Sequence, residues 1–263
     1  MHPMLNIAVR AARAGGNVII RYIDRVHDLP VREKSRNDFV SEVDNRAEAA
    51  IIETLKKYYP DHAILAEESG AQGENDYLWI IDPLDGTTNF LHGFPQFAVS
   101  IALQHKGQLS QAVIYDPLRQ ELFTASRGQG AYLNDRRIRV SRQKQLEGAL
   151  LGTGFPFREN LVIEQYLETF RLLFPKSAGI RRAGAASLDL AYVACGRLDG
   201  FWEFGLKPWD IAAGILLIEE AGGLAGTFDG QGPVLEHGDI IAGTPKIYDE
   251  LMQLIGNRTT AGQ

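Results

Sequence analysis

The chain reads as an α/β protein, and three features of the sequence lead there. Amphipathic helical stretches alternate with short apolar runs of strand length. Several of those runs stop at acidic residues, as in Ala63–Ala66 before Glu67 and Tyr77–Ile81 before Asp82. A block of consecutive strands punctuated by Gly107 and Pro117 follows, which predicts antiparallel pairing. At 263 residues the chain can bury one large core or two closely joined halves.

Taken in order, Leu5, Ala8, Val9, Ala12, Val18, Ile19 and Ile23 recur at helical spacing and predict a first helix over residues 3–25. A second runs from Asp44 to Tyr59, with Ala47, Ile51, Leu55 and Tyr58 on one face and Pro60 beyond its end. Strands follow at Ala63–Ala66 and Tyr77–Ile81. Pro83 carries no N–H and fixes its own φ, so the chain should leave the strand there and turn. Phe97–His105, Gln111–Tyr115 and Glu121–Ser126 make the antiparallel set, and Asn134-Asp135 punctuates a hairpin between Ala131–Leu133 and Arg137–Val140.

The second half predicts a strand at Ala149–Thr153, a helix over Ile163–Phe174, a strand at Ile180–Arg182, a helix over Ser187–Cys195 and a strand at Gly200–Phe204. Trp209–Ala221 is a helix stopped by Gly222-Gly223. Strands around Leu224–Phe228 and Ile240–Ala242 precede a last helix over Lys246–Ile255. No repeat or flexible linker interrupts this series, so residues 1–263 read as one domain. The irregular stretch Ser141–Leu146 divides it into subdomains of roughly 1–145 and 146–263.

Composition narrows the function. A net charge of −6, from 27 basic and 33 acidic residues, argues against a basic surface for nucleic acid and leaves room only for a local patch. The single cysteine, Cys195, leaves no intramolecular disulfide and fits a reducing compartment. No apolar run is long enough to span a bilayer, and Arg10 and Arg13 break the apolar N-terminus, so neither a membrane segment nor a signal peptide is expected. The expected location is the cytoplasm.

The run Trp79-Ile80-Ile81-Asp82-Pro83-Leu84-Asp85-Gly86-Thr87-Thr88-Asn89-Phe90 carries the most chemistry. A strand ends in two carboxylates, then in a glycine and helix-start residues whose N–H groups suit an anion. Like charges 4 Å apart repel by about 4 kcal/mol at an effective dielectric near 20. Two carboxylates beside a phosphate-binding turn therefore call for divalent metal between them. Further acids stand at Glu67-Glu68, at Asp210 after Trp209, and in Lys34–Asp44, which holds Asn37, Asp38 and Ser41. Oxygen donors without His or Cys neighbours suit Mg²⁺ better than Zn²⁺. Each station alone also fits a plainer role: a solvated turn for Glu67-Glu68, helix caps for Asp44 and Asp210, a simple turn for Pro-Leu-Asp-Gly.

WIIDPLDGTTNF, with EES upstream and PWDIAAGILLIEEAGG downstream, closely resembles the inositol monophosphatase family of Mg²⁺-dependent, lithium-sensitive phosphatases. The resemblance runs over essentially the whole chain and is strongest to bacterial SuhB-type members, through MHPMLNIAVRAAR, FAVSIAL, GFPF, LDLAYVA and GRLDGFWE. It implies a layered α-β-α-β-α sandwich, a homodimer, and hydrolysis of inositol monophosphate or related small sugar phosphates. It also implies two or three Mg²⁺ ions per site, with Glu67, Asp82, the Leu84 carbonyl, Asp85 and Asp210 as ligands. Gly86 and Thr87 would bind phosphate, with Leu84, Asp85 and Asp210 also bordering the substrate. Glu203 would bind the inositol ring, and Gly184, Ala185 and Ala186 match the turn that contacts substrate. Lys34 and Asp44 match the family's mobile N-terminal segment, which supports the site and a weaker third metal. Thr87, backed by Asp44, would orient the attacking water, and Glu67 would accept its proton.

Two positions depart from the pattern: Ala185 stands where Thr or Ser is usual, with Ser187 supplying a hydroxyl two positions later, and Ser41 stands where Thr is frequent. Members of the SuhB type also join ribosomal-RNA antitermination complexes with RNA polymerase and Nus factors, which implies a second, non-catalytic role. Cys195 reads as a core residue; His62, His92 and His105 lack metal-ligand spacing; Trp79, Trp202 and Trp209 read as packing anchors; Arg181-Arg182 reads as structural.

Overall fold

The structure is a computed structural model and describes residues 2–28, 31–35, 38–156 and 163–259. Helix α1 (Pro3–Tyr22) runs into a 3-10 segment, Ile23–Asp28, so the helical stretch outlasts the predicted 3–25 but tightens near its end. A two-stranded ribbon, β1 (Val31–Ser35) and β2 (Asp38–Ser41), precedes α2 (Glu42–Tyr58). No apolar alternation in Val31-Arg-Glu-Lys-Ser35 announces this ribbon in the sequence.

An eight-stranded sheet follows, ordered β10-β9-β8-β7-β6-β5-β3-β4. Its strands are β3 (Ala63–Ala66), β4 (Gly70–Gln72), β5 (Tyr77–Asp85), β6 (Ala98–His105), β7 (Gln108–Asp116), β8 (Glu121–Ser126), β9 (Gly130–Leu133) and β10 (Arg136–Arg137). The short helix α3 (Thr87–Leu91) interrupts it after β5. The second sheet, ordered β12-β11-β13-β15-β14, uses β11 (Leu150–Thr153), β12 (Gly179–Arg181), β13 (Gly200–Glu203), β14 (Leu224–Gly226) and β15 (Ile240–Gly243). Among these run α4 (Ile163–Leu173), α5 (Ala186–Ala194), α6 (Pro208–Glu220), the one-turn α7 (Val234–His237) and α8 (Pro245–Thr259).

Alternation along the strands builds the layers. On β6, Val99, Ile101 and Leu103 face the α1 and α2 core, while Ala98 and Ala102 face the opposite side, where α5 and α6 pack. On the second sheet Phe201, Ile240 and Ala242 face α5 and α6, while Leu151, Trp202 and Ile241 join a third core with α4 and α8. The result is the expected α-β-α-β-α sandwich. Trp79 and Trp202 are fully buried, as anchors should be, and Trp202 Nε1 donates to Thr169 Oγ1 at 3.0 Å.

One expectation needs correction. The chain does not leave the sheet at Pro83: β5 continues to Asp85. Asp82 pairs opposite Ser100 and Asp85 opposite Ala98, so β5 takes three steps where β6 takes two. Pro83 sits in that bulge, where a missing N–H breaks no ladder bond.

Candidate active site at the strand ends

The parallel pair β3 and β5 ends on one edge of the large sheet, with Ala66 opposite Ile81. That register sets Glu67 beside Asp82, and Glu67 N–H donates to the Ile81 carbonyl at 3.1 Å. From β6, opposite Asp82, Ser100 Oγ donates to the Trp209 carbonyl at 3.1 Å and draws the first turn of α6 to the same edge. Asp210 lies in that turn and accepts the Lys207 N–H at 2.7 Å, so it caps the helix while facing the other acids. The cap therefore fixes this carboxylate on the edge it shares with Asp82.

Asp82 is only 2% exposed, and its Oδ1 accepts the Leu84 N–H at 2.9 Å. Burial, reinforced by the charges of Glu67, Asp85 and Asp210, pushes its pKa well above the ordinary range. Asp85 is pushed up to about 6, chiefly by burial; its hydrogen bonds from Ser187 and Ala186 oppose the rise, and the charge of Glu67 adds to it. Ser187 N–H donates to Asp85 Oδ2 at 2.8 Å, and the Ser187 hydroxyl bonds to the same oxygen. The Ser187 hydroxyl and amide thus hold the Asp85 carboxylate at the start of α5, where a helix N-terminus favours negative charge.

Gly86 caps α3 with φ +89°, a conformation only glycine takes without strain. A Cβ there would lie 2.8 Å from the Gln96 carbonyl oxygen and 3.3 Å from both Ala185 Cβ and the Gly184 carbonyl oxygen. The Gly86 turn and the 184–186 turn therefore touch. Asn89 Nδ2 ties them together, 2.9 Å from the Ala183 carbonyl oxygen and 2.8 Å from that of Gln96. Ala185 and Ala186 are buried in the central core, so only their main chain can face a substrate. Thr87 Oγ1 stands 2.8 Å from Asp44 Oδ1 and 3.0 Å from the Leu84 carbonyl oxygen.

Glu203, at the end of β13, lies over Gly154, where no side chain could fit beside it. Burial raises its pKa well above normal; the charges of Asp189, Asp210 and Asp85 add to this and Arg182 opposes it. Lys34 lies on β1, and its side chain falls outside the described residues, as do those of Asp38 and Ser41 and the whole of Asn37.

The structure therefore gathers Glu67, Asp82, Asp85, Asp210 and Glu203, with Leu84, Gly86, Thr87 and Asp44 on one side and Gly184–Ala186 on the other. Sequence reasoning missed Asn89 as a tie, Asp189 and Arg182 as neighbours of Glu203, and Glu48, a buried carboxylate on α2. Only Asn89 offered a signal, as the third helix-start residue of its run. Cys195 is half-buried against the central core, and burial raises its pKa. His62 stacks between Tyr59 and Tyr77.

Among the described residues no three His, Cys, Asp or Glu side chains close on a common point as a finished cage. The donor set nonetheless suits Mg²⁺. It is all oxygen, its most buried member faces three further acids, and Mg²⁺ keeps several waters and needs few protein ligands. Protons and metal compete for such a site. Because Asp85 is raised from 3.8 to about 6, its contribution to metal-free stability is full below pH 3.8 and is lost as pH rises through about 6. Melting temperatures in a chelator should fall over that window, and the stabilisation added by Mg²⁺ should grow over the same window.

A family model described as "Inositol monophosphatase family" matches residues 1–259. The chain belongs to the inositol monophosphatase family. It is 60% identical over 261 residues to a Pseudomonas aeruginosa protein named Nus factor SuhB, covering 97% of this chain and 96% of that one. It is 52% identical over 254 residues to the Escherichia coli K12 protein of the same name, covering 96% and 95%. The crystal structure of the extragenic suppressor protein suhB from Bartonella henselae superposes with a TM-score of 0.94 at 44% identity, over 98% of this chain and all 100% of that one. An inositol monophosphatase from Thermotoga maritima gives 0.88 at 33% identity, over 98% of each. Inositol monophosphatases are phosphatases that use Mg²⁺, and no helix among the described residues is long and apolar enough to cross a membrane.

Proposed function

We propose that the protein hydrolyses small phosphate monoesters, inositol monophosphate among them, by in-line attack of water, and does so in the cytoplasm. The observation that carries this is the convergence of Glu67, Asp85 and Asp210 on buried Asp82, directly beside the Gly86–Thr87 turn. Glu67, Asp82, the Leu84 carbonyl, Asp85 and Asp210 would hold two or three Mg²⁺ ions. When bound, Mg²⁺ neutralises phosphoryl oxygens, makes water more acidic and stabilises the leaving alkoxide.

The chain's own residues supply the rest. The Thr87 hydroxyl donates a hydrogen bond to Asp44, which leaves its lone pairs to accept from the attacking water and fix its line of approach. Glu67 takes the proton the water gives up. N–H groups of the first turn of α3 face the phosphate. The ester P–O bond breaks as the water's P–O bond forms, and the alcohol leaves with a proton from solvent. Glu203 meets hydroxyls of the leaving group, with Gly184–Ala186 lining it and Lys34 and Asp44 supporting a weaker third ion.

Phosphate release from inositol monophosphate, other sugar monophosphates, fructose bisphosphate and a nucleotide bisphosphate tests the reading, with Mg²⁺ titrated and Li⁺ added. Release from small monoesters that requires Mg²⁺ and falls with Li⁺ is expected. No release from any of them at saturating Mg²⁺ contradicts it.

The names of the relatives at 60% and 52% identity favour a second reading that can coexist with the first. As a homodimer, the protein would join RNA polymerase and Nus factors in ribosomal-RNA antitermination. Pull-down with RNA polymerase should succeed equally for wild type and Asp82→Asn, and capture by neither form would remove this role.

A further inference from the structure

Helix α2 carries two buried carboxylates, Asp44 at 1% and Glu48 at 3% exposure. They lie one turn apart and share a face that is otherwise apolar, with Val43, Ala47, Ile51 and Leu55. A carboxylate in such a layer is unfavourable unless hydrogen bonds satisfy it. Glu48 satisfies both oxygens on one turn: Oε2 accepts the Glu68 N–H at 2.8 Å and Oε1 accepts the Ser69 N–H at 2.9 Å. The preceding N–H, that of Glu67, goes to the Ile81 carbonyl on β5. Three successive amides are thus held, one by the sheet and two by α2, and the residue between these anchors is Glu67. One turn earlier the same helix face meets Thr87 through Asp44.

We propose that Glu48 is a positioning residue for Glu67, and that through it α2 sets the Mg²⁺ affinity of the site. The proposal rests on reading Glu67 as a metal ligand. Its physical basis is that the metal-facing carboxylate sits on a short turn between β3 and β4. Without an anchor that turn has no reason to present its side chain in one direction. A bidentate carboxylate is suited to the task, because its two oxygens match two adjacent N–H groups. Residues that orient metal ligands without touching the metal commonly matter almost as much as the ligands themselves.

The test is Mg²⁺ titration by calorimetry on the full chain, for wild type, Glu48→Gln, Glu67→Gln and the double variant. Exposed Glu53→Gln on the same helix serves as control. Gln keeps the shape of Glu48 but turns an NH₂ toward one of the two amides. Glu48→Asp keeps the charge and loses the reach, and it stands in if Glu48→Gln does not fold. Glu48→Gln should weaken Mg²⁺ binding about tenfold or more, with Glu53→Gln unchanged. The double variant should bind no more weakly than Glu67→Gln alone, because both changes remove one function.

A purely structural anchor would lower the melting temperature in chelator yet leave the Mg²⁺ affinity of folded protein as in wild type. That result, or additive losses in the double variant, overturns the proposal. Wild type that takes up no Mg²⁺ is a separate failure, which removes the reading of Glu67 as a ligand and the proposal with it.

Discussion

Asp82→Asn is expected to lower turnover about a thousandfold while leaving the metal-free protein at least as heat-stable as wild type. The two effects have one cause. Asp82 is the most buried of the four acids Glu67, Asp82, Asp85 and Asp210, and it faces the other three. In the absence of metal its charge is repelled on several sides, so a neutral amide of the same shape relieves the fold. Asn can still accept the Leu84 N–H that now goes to Asp82 Oδ1, so the β5 bulge keeps its internal bond. What it cannot do is offset a divalent charge. Calorimetric melting with and without Mg²⁺ reads both sides: wild type should gain stability on adding Mg²⁺, and Asp82→Asn should gain little. Normal turnover in the variant, or a large loss of metal-free stability, would contradict this account of the residue.

Gly86→Ala should be nearly as damaging by a different route. Position 86 has φ +89°, where an L-residue costs about 1–2 kcal/mol. The new methyl would also stand 2.8 Å from the Gln96 carbonyl oxygen and press on Ala185 and Gly184. Relief requires the Gly86 turn and the 184–186 turn to separate, which pulls against the Asn89 tie. A displacement of about 1 Å in positioned groups can lower a rate about a hundredfold, and a loss of that order in kcat is expected. Stability should fall by about 1–3 kcal/mol, measurable by denaturant unfolding. Wild-type kcat in this variant would show that the two turns need not touch.

How much of this was legible beforehand depends on where each signal lies. Helix α2 stood in the sequence close to its observed limits, because burial of one face writes itself at helical spacing. Helix α6, buried on all sides from Ile211 to Ile218, stood there as a long apolar run stopped by Gly222-Gly223. The sandwich order did not follow from periodicity. It came through the family resemblance, since alternation on β6 or β13 says which residues share a face and not which layer covers it. Pro83 misled, because a proline reads as a strand end unless a bulge absorbs its missing N–H, and the bulge depends on the partner strand. The acids Glu67, Asp82, Asp85 and Asp210 were visible as strand-end and helix-start residues. Their convergence rests on the Ala66–Ile81 register and the Ser100 bond, which are long-range facts. Glu48 was hidden for the same reason. Inside Asn45-Arg46-Ala47-Glu48 it looks like one more helix-surface acid, and only the fold turns it inward.

The central claim is that these acids form a cation site. Crystals soaked in Mn²⁺, an anomalous scatterer that takes the same oxygen ligands as Mg²⁺, test it most directly. The account predicts strong anomalous peaks within bonding distance of Asp82 and its neighbours Glu67, Asp85 and Asp210. Peaks confined to other surfaces, with these four carboxylates in contact with none, would contradict it.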